Sequence, residues 1–265
     1  MSTECILFSM DWKGKTIFLT GASSGIGEGL AVAMAEKGAT LAIVARREEE
    51  LTRIAEQIAV KNGIARVFAV DVTEAESMAK AAQTFRDEFG HIDIMIANAG
   101  IGGNDQKTRE YDPASVKKLI DINLLGAVNS IHAVIKPMQE RKSGHIVAIS
   151  SLAGFRGLLK SAAYSASKAG MTAFFESVRL DNAESNIDVT IIQPGFIKTP
   201  LTSGREAKMP FLMNLEDAIP HFLHAIERKK KFAAFPWQLA TIVRLGKYMP
   251  AWMYDRIAGK ARYRE

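Results

Sequence analysis

Short apolar runs alternate with longer segments of helical periodicity along most of the chain. The runs are continuous rather than strictly alternating, a pattern typical of strands that are covered on both faces in a parallel sheet. We predict strands at Lys15–Thr20, Thr40–Ala45, Ala65–Val70, Asp93–Asn98, His145–Ser150 and Asp188–Gln193, with a weaker seventh at Phe232–Phe235. Helical segments lie between them, which predicts a doubly wound Rossmann-type α/β fold. Its predominantly parallel sheet would have about seven strands, with helices on both faces.

Several predicted helices have recognisable ends. Gly38 and Gly90 each follow a helical segment and are stop signals, since glycine readily adopts the backbone conformation that ends a helix. Thr73 and Glu76 have the spacing of a capping box, which predicts the start of the helix that Gly90 ends.

Length and composition are those of one globular domain, residues 1–265, since the chain contains neither repeats nor low-complexity linkers. Hydrophobic residues make up 48% of the chain and charged residues 24%, a composition that excludes disordered and fibrous proteins. Cys5 is the single cysteine, so an internal disulfide and a cysteine zinc site are excluded. The first residues do not resemble a signal peptide, and no stretch approaches the roughly 20 uninterrupted apolar residues of a membrane span. We therefore expect a cytoplasmic protein.

The net charge of +5 is concentrated in an amphipathic C-terminal extension at about 237–265. This segment contains the bases Arg244, Lys247, Arg256, Lys260, Arg262 and Arg264 and the acids Asp255 and Glu265. Six bases minus two acids leaves four of the five net charges there. The remainder of the chain is nearly neutral, which argues against a nucleic-acid partner.

The same extension is divided by Pro250 into two predicted short helices. Its apolar residues are Leu239, Ile242, Leu245, Tyr248, Met249, Trp252, Met253 and Ile257. Trp and Tyr among Arg and Lys are typical of a helix that lies on a membrane surface, which would make the protein peripheral to a membrane. The pattern is equally typical of a subunit interface or of a helix packed on its own domain. The sequence leaves these alternatives open.

A glycine-rich loop, TGASSGIG at Thr20–Gly27, follows the first predicted strand and precedes a helix. Glycines let the backbone approach a pyrophosphate, and the helix N-terminus supplies N–H donors. The spacing is G-x-x-x-G-x-G rather than the commonest dinucleotide fingerprint, so the position after the first strand carries the prediction. The residues expected to contact the nucleotide are Gly21, Ser23, Ser24, Gly25, Ile26 and Gly27.

The end of the second predicted strand indicates which nicotinamide binds. A site for NAD places a carboxylate there to accept hydrogen bonds from the ribose hydroxyls. In this chain Ala45 is followed by Arg46 and Arg47, and a guanidinium suits a 2′-phosphate. The alternative is that both arginines are ordinary surface bases in front of Glu48–Glu50. The missing carboxylate favours NADP(H).

Tyr164 and Lys168 are four residues apart at the start of a predicted helix, which places both side chains on one face. A phenol titrates near about 10, and a nearby ammonium lowers that pKa toward the range useful for acid–base catalysis. Ser151 lies at the end of a predicted strand, where it could hydrogen-bond a substrate oxygen. Asn123 falls inside a helix without a propensity reason to be there. A solvated helix face would explain the Tyr/Lys pair taken alone.

Together these motifs resemble the classical short-chain dehydrogenase/reductase family, from Trp12 to about Pro236. The matching segments are TGASSGIG at Thr20–Gly27, ANAG at Ala97–Gly100, Asn123, Ser151, YSASK at Tyr164–Lys168 and PGFIKTP at Pro194–Pro200. One departure is Ala97, where the family often has asparagine. Another is the extension after Trp237, which shorter family members lack.

The resemblance implies a role for each matching residue. Tyr164 would be the general acid in reduction and the base in oxidation, and Lys168 would lower its pKa and bind the nicotinamide ribose. Ser151 would orient the carbonyl oxygen, and Asn123 would hold a water in a proton relay. The remaining cofactor contacts implied are Asp71 and Val72 at the adenine, the segment Asn98, Ala99 and Gly100, and Pro194, Gly195, Ile197 and Thr199 at the carboxamide.

These observations predict an NADP(H)-dependent oxidoreductase acting on a carbonyl or secondary alcohol. The pocket candidates are apolar and favour a small hydrophobic substrate: Leu152, Phe155, Leu158, Leu159, Phe196, Met209, Phe211, Leu212 and Met213. By family analogy, long helices around Ser115–Glu140 and Ser161–Glu184 would pair subunits into a homodimer or homotetramer.

Three other functions or sites are less consistent with the sequence. One alternative is a non-catalytic NADPH-binding sensor, which would have no use for a tuned phenol. Another is a sugar-nucleotide epimerase or dehydratase, which the apolar pocket candidates and the short C-terminal region disfavour. His221 and His224 are three residues apart but lack further ligands, so we predict no metal site.

Overall fold

Seven strands form one all-parallel sheet in the computed structural model, which describes residues 10–102, 110–204 and 209–258. They are β1 (Thr16–Thr20), β2 (Thr40–Ala45), β3 (Ile64–Ala69), β4 (Ile94–Ala97), β5 (Gly144–Ile149), β6 (Ile187–Pro194) and β7 (Phe232–Phe235). Their order is β3-β2-β1-β4-β5-β6-β7. Every strand lies within one residue of its predicted ends, and the predicted Rossmann-type fold is confirmed.

Helices connect the strands and cover both faces of the sheet. They are α1 (Gly25–Glu36), α2 (Glu48–Val60), α3 (Ala75–Phe89), α4 (Pro113–Ile120), α5 (Gly126–Arg141), α6 (Ala162–Asp181), α7 (Leu215–Glu227), α8 (Trp237–Tyr248) and α9 (Ala251–Ala258). A π-helical turn, Asp121–Leu125, joins α4 to α5. The predicted division of the C-terminal extension at Pro250 is therefore confirmed, since α8 ends before that proline and α9 begins after it.

Two separate cores lie on the two faces of the sheet. Successive side chains of a strand point to opposite faces, so Ile17 and Leu19 enter one core while Phe18, between them, enters the other. The first core contains buried residues of α1, α2 and α7, including Phe222. The second contains those of α3, α5 and α6, including Phe175. Burial on both faces explains why the strands read as continuous apolar runs.

Strand order reverses between β1 and β4, because β2 and β3 extend the sheet on one side and β5 to β7 on the other. In an open parallel sheet, the carboxyl ends of the strands at such a reversal flank a crevice that binds ligands. The loops that follow β1, β2, β4 and β5 therefore meet at one edge. The glycine-rich loop, the two arginines after Ala45, the segment Asn98–Gly100 and Ser151 lie on these loops.

The predicted capping box at Thr73 and Glu76 is wrong. Helix α3 begins at Ala75, two residues after Thr73, and no side chain caps its N-terminus. Thr73 instead donates two hydrogen bonds to the Asp71 carboxylate, from its backbone N (3.0 Å) and its hydroxyl (2.9 Å). An aspartate two residues upstream offers this local turn, which competes with a helix cap.

The predicted helix stops at Gly38 and Gly90 are confirmed. Each glycine follows the last turn of a helix, α1 or α3, with a positive φ of 90° or 83°. Residues that carry a side chain rarely adopt that backbone conformation, so glycine is the favoured residue at both helix ends.

The continuous helical stretch Pro113–Arg141 is long and apolar enough to cross a membrane by length and composition alone. Half of its most apolar window is buried, and α5 packs against α3 and β4. A core helix of a globular fold passes the same test, and the packing of this stretch is that of a core helix.

Candidate active site

The glycine-rich loop between β1 and α1 approaches the loop after β4 very closely. A Cβ atom added at Gly21, whose φ is +67°, would lie 2.6 Å from the Ala99 Cα atom. Asn98 braces the loop from the other side, since its Nδ2 atom donates to the carbonyls of Thr20 (3.0 Å) and Gly21 (3.1 Å). Only glycine permits this approach, and we call the glycine-rich loop together with the N-terminus of α1 the cradle.

Thr20 was missed as a site residue although it begins the glycine-rich motif. Its hydroxyl accepts hydrogen bonds from the backbone N–H groups of Asn98 (3.1 Å) and Ala99 (3.2 Å) and is 3.3 Å from the Ile96 carbonyl. A polar residue that closes a buried strand is the sequence signal that could have identified it. Through these bonds Thr20 fixes the loop after β4 against the glycine-rich loop.

Two arginines stand beside this cradle. The Arg47 guanidinium donates to the hydroxyls of Ser23 and Ser24, each at 2.9 Å, and to the Ser23 carbonyl at 3.2 Å. Ser24 occupies the N-cap position of α1, but its side chain makes no cap hydrogen bond. Arg46 follows the last residue of β2 and pairs with the Asp71 carboxylate at 3.5 Å. Both predicted phosphate-binding bases therefore lie at the same edge as the glycine-rich loop.

Asp71 and Val72 lie just beyond β3. Burial raises the pKa of Asp71, but the two hydrogen bonds from Thr73 and the charge of Arg46 outweigh burial and hold that pKa below its usual value. Val72 is only 6% exposed and packs against Gly126, where an added Cβ would lie 2.6 Å from its side chain. The Asp71 carboxylate is thus ionised and accessible, whereas the Val72 side chain is nearly enclosed.

Asn123 occupies the π-helical turn between α4 and α5 and is fully buried. Its Oδ1 atom accepts from the Ile101 N–H at 2.8 Å, and its Nδ2 atom donates to the Ile101 carbonyl at 3.0 Å and to the Ser167 hydroxyl at 3.2 Å. Ser167 in turn donates to the Tyr164 carbonyl at 2.8 Å. An asparagine that had no propensity reason to be in a helix therefore ties the loop after β4 to the start of α6.

Lys168, one turn after Tyr164 on α6, has its ammonium group buried within the site. The Lys168 Nζ atom donates to the Ile149 carbonyl at 2.9 Å and lies 6.0 Å from the centroid of the Tyr164 ring. Burial lowers the pKa of Lys168 to about 8. A Cβ added at Gly100 would lie 3.7 Å from this Nζ atom and 3.3 Å from the Asn123 carbonyl oxygen. The predicted Asn123 and Lys168 thus both lie next to Gly100, and the Tyr164 ring lies beside Lys168.

Ser151 follows β5 and starts a short 3-10 helix. Its hydroxyl oxygen accepts a hydrogen bond from the Ala153 N–H at 3.1 Å. The loop after it lies directly on α6, because a Cβ added at Gly154 would be 2.8 Å from the Lys168 carbonyl carbon. The neighbouring Ser150 was missed by the sequence analysis, and its hydroxyl donates to the Lys168 carbonyl at 3.0 Å. A polar residue at the end of an apolar strand was again the available signal.

The segment after β6 reaches the glycine-rich loop. The Gly195 N–H donates to the Phe235 carbonyl at 2.8 Å, which holds the segment on β7. Ile197 is buried at 3% exposure, and the Thr199 side chain would be 3.3 Å from a Cβ at Gly25. This segment, which begins at Pro194, therefore lies next to the start of α1.

A cavity of about 190 Å³ opens beside Tyr164. Its walls include Ile101, Tyr111, Ser115, Lys118 and Leu119, so apolar and polar groups both line it. None of the predicted apolar pocket residues lines this cavity. Three of them, Leu152, Phe155 and Phe196, pack instead with Leu239 and Ala240 of α8 in a third apolar cluster.

The two histidines of α7 do not form part of a recognisable metal site. The ring of His221 stacks on Phe235 with centroids 5.1 Å apart, while both histidines are exposed. Over residues 10–102, 110–204 and 209–258, no group of three or more histidine, cysteine or acidic side chains is placed to hold a metal ion.

Comparison with known proteins identifies relatives of the whole arrangement. The model of the short chain dehydrogenase family matches residues 15–210. An uncharacterized oxidoreductase of Myxococcus xanthus is 39% identical over 248 residues, which covers 94% of this chain and 98% of that protein. The match therefore extends into the C-terminal helices.

Solved structures share the fold and differ in the nicotinamide that they contain. A metagenomic short-chain oxidoreductase in complex with NADP is 26% identical, with a TM-score of 0.73 over 85% of this chain and 97% of that one. A short-chain dehydrogenase of Mycobacterium paratuberculosis bound to NAD is 22% identical, with a TM-score of 0.80 over 88% of this chain and 100% of that one. The neighbours thus include complexes with both cofactors.

Proposed function

Because the chain belongs to the short-chain dehydrogenase family of oxidoreductases, we propose that it transfers a hydride between NADP(H) and a carbonyl or secondary-alcohol carbon. The observation that carries the proposal is the buried Lys168 ammonium beside the Tyr164 ring, at 6.0 Å from its centroid. A buried ammonium group whose pKa is lowered by burial, next to a phenol that can exchange a proton, is typical of an acid–base site.

The cradle fits a dinucleotide phosphate. The close approach at Gly21 leaves no room for a side chain, and the N-terminus of α1 complements negative charge. The choice of NADP(H) rests on the second strand, where Ala45 supplies no carboxylate and Arg46 and Arg47 supply two guanidinium groups. When bound there, the nicotinamide would supply or accept the hydride.

The chain's own residues would manage the proton and the oxygen. Tyr164 would donate its hydroxyl proton to the carbonyl oxygen in reduction and take a proton in oxidation. A cation near the phenol favours the phenolate, which is the role we assign to Lys168. Ser151 would donate its O–H to the substrate oxygen, since its bond with Ala153 uses the hydroxyl only as an acceptor. The Oδ1 atom of Asn123 retains a lone pair for a relay water.

The cavity beside Tyr164 supports a small substrate. About 190 Å³ is modest for a ligand pocket, and Ile101 and Leu119 give part of its wall an apolar surface. Lys118 and Ser115 add polar groups, so the proposal of a small hydrophobic carbonyl compound allows one polar substituent.

We also propose a homodimer or homotetramer in the cytoplasm. The long helices predicted to pair subunits expose apolar side chains at Leu125, Phe174 and Leu180. Association through these helices would cover them. Light scattering of the wild-type protein and of Leu180→Ser would show a smaller species for the variant.

The proposal is tested by titrating the protein with NADPH and NADH and then assaying a panel of carbonyl compounds. Tyr164→Phe removes only the hydroxyl, so NADPH affinity should stay within a few-fold while turnover falls by about 10²–10⁴-fold. Tyr111→Phe is the matched control, because it makes the same change in the wall of the same cavity. Its turnover should stay within about tenfold of wild type.

Three results would count against parts of the proposal. Full turnover by Tyr164→Phe would remove the acid–base role. Tight NADPH binding without turnover on any carbonyl of the panel would favour the non-catalytic NADPH sensor. Tighter binding of NADH than of NADPH would contradict the roles assigned to Arg46 and Arg47.

A further inference from the structure

The C-terminal helices α8 and α9 present an apolar surface to the outside. Leu239 and Ala240 of α8 are buried against the loop after β5 and the segment after β6. Six large apolar side chains of the two helices are each more than half exposed, and we call them the tail face: Trp237, Ile242, Leu245, Tyr248, Trp252 and Ile257. Several large apolar side chains exposed on two successive helices are typical of an interaction surface.

Helical geometry places much of the tail face on one side of α8. With about 3.6 residues per turn, Trp237, Leu245 and Tyr248 share a side, and Ile242 lies at its edge. The buried Leu239 and Ala240 lie on the other side. The helix is therefore apolar on two sides, one of which is already covered by the protein itself.

Basic side chains flank the tail face. Arg244, Lys247 and Arg256 are exposed on the same two helices, against the single acid Asp255 within Trp237–Ala258. The sequence that follows adds three bases and one acid. Exposed Trp and Tyr beside Arg and Lys are the composition of segments that bind anionic lipid surfaces.

Arg156 fixes the orientation of the tail face. One guanidinium nitrogen of Arg156 donates to the carbonyls of Gly246 (2.6 Å) and Met249 (2.7 Å) at the end of α8. The same guanidinium lies 3.8 Å over the centroid of the Tyr254 ring, and the Tyr254 hydroxyl donates to the Gly157 carbonyl at 2.7 Å. These contacts hold α8 and α9 on the loop after Ser151, so the tail face points away from the protein.

We propose that the tail face docks on an anionic lipid bilayer, with its helices lying in the headgroup region and the loop after Ser151 next to the membrane. A second copy of the chain fits less well. Two-fold pairing through this face would bring together two surfaces that carry the same positive charge. An anionic surface complements both the apolar and the basic groups.

Sedimentation with lipid vesicles tests the proposal on the full-length protein and needs no turnover. The protein should bind vesicles of phosphatidylcholine mixed with phosphatidylglycerol, bind pure phosphatidylcholine more weakly, and dissociate as salt is raised. Leu245→Ser should lower the partition coefficient by about tenfold, because one aliphatic side chain no longer inserts. The matched control is Val60→Ser, an exposed aliphatic residue at the end of α2, which should leave binding within about twofold of wild type.

Unchanged thermal unfolding of Leu245→Ser would show that its loss of binding is not a loss of fold. The proposal is overturned if wild-type protein sediments with neither vesicle, or if Val60→Ser and Leu245→Ser weaken binding equally. It is also overturned if vesicles are not bound and Leu245→Ser instead abolishes self-association, which would make the tail face a subunit interface. Since activity is not measured, each result is independent of the proposed reaction.

Discussion

The ammonium group of Lys168 is buried, and this burial lowers its pKa to about 8. A small rise above neutral pH would therefore remove the charge that we propose to favour the Tyr164 phenolate. We predict that kcat for carbonyl reduction with NADPH falls as pH rises through about 8. The check is a pH–rate profile of wild type beside Lys118→Gln, which changes an exposed lysine in the cavity wall and should keep the same inflection. A profile that is flat across this range would contradict the role given to Lys168.

Ala45 closes β2 at the position where a carboxylate would bind the ribose hydroxyls of NAD. We predict that Ala45→Asp shifts the preference toward NADH by at least about tenfold, because the new charge accepts from a ribose and repels a 2′-phosphate. Calorimetric affinities for the two cofactors measure the ratio. Ala45→Asn has nearly the same shape without the charge, so an equal shift in both variants would exclude the electrostatic explanation.

His145 lies buried in β5, with its Nε2 atom 2.8 Å from the Thr190 hydroxyl. Burial lowers its pKa to about 4, helped by the charge of Lys229 and opposed by that of Asp188. In the unfolded chain the imidazole titrates near about 6.5, so the unfolded state binds more protons between these two values. The stability that the neutral ring contributes is complete above about pH 6.5 and is lost progressively as pH falls toward about 4.

This difference corresponds to about 3 kcal/mol in the free energy of unfolding across that range. We predict that His145→Gln flattens the acid limb of the stability profile by this amount, because glutamine does not titrate. Urea unfolding at several pH values is the measurement. The idea fails if wild type and variant lose stability in parallel.

At the scale of elements, the strands were predictable from sequence and the helix joints were not. A strand such as β5 is covered on both faces, so nearly all of its residues are apolar. Such a continuous apolar run can be recognised in the sequence. Asn123, in the π-helical turn, is hydrogen-bonded to Ile101, which is 22 residues earlier in the chain. The start of α3 depends on whether Thr73 bonds to Asp71 or to the helix. The periodicity of apolar residues predicts neither the π-helical turn nor the first residue of α3.

Part of the candidate site was also predictable from the sequence, and part was not. The order and spacing of the motifs singled out the glycine-rich loop, Asn123, Tyr164 and Lys168 as candidates, because each matches a segment of the family pattern. The pocket residues could not be identified, since apolar side chains such as Leu152 and Phe155 suit a core and a cavity equally. Only the packing of α8 decides that they belong to a core.

The joint between the loop after β5 and the C-terminal helices depends on Arg156. We predict that Arg156→Met increases hydrogen exchange of the α8 and α9 amides by about tenfold or more, because two bonds from a charged donor are lost, each worth about 1.5–3 kcal/mol. Arg53→Met is the control, since Arg53 pairs with glutamates only at the surface and should change little. Exchange that stays at the wild-type rate would show that α8 is held by its apolar side alone.

The molecule as a whole gathers the candidate site from both halves of the sheet. The glycine-rich loop and Arg46 belong to the β1–β2 side, whereas Asn123, Ser151 and Lys168 come from β4 and beyond. A ligand that spans the reversal in strand order therefore links elements packed on both cores. The doubly wound alternation and its right-handed crossovers made this gathering predictable, since they bring the carboxyl ends of the strands together.

We accordingly predict strong stabilisation by the preferred cofactor. NADPH at about 100 times its dissociation constant should add about 2.7 kcal/mol to the free energy of unfolding, which for a chain of this size raises the Tm by about 5 °C. Differential scanning fluorimetry with NADPH, and with NADH at the same concentration, measures the effect. Equal shifts from the two cofactors would contradict the preference assigned to the arginines.

The attachment of α8 also has an evolutionary consequence. Leu239 packs against Leu152, and Arg156 donates a hydrogen bond to a carbonyl at the end of α8. The C-terminal helices and the loop after β5 therefore constrain one another. A lineage that shortened or exchanged its C-terminus would expose the Leu152 side chain and leave the Arg156 guanidinium without its partners on α8. Positions 152, 156 and 239 are therefore expected to covary among orthologues, so that a change of the C-terminus is inherited together with a change in the loop after β5.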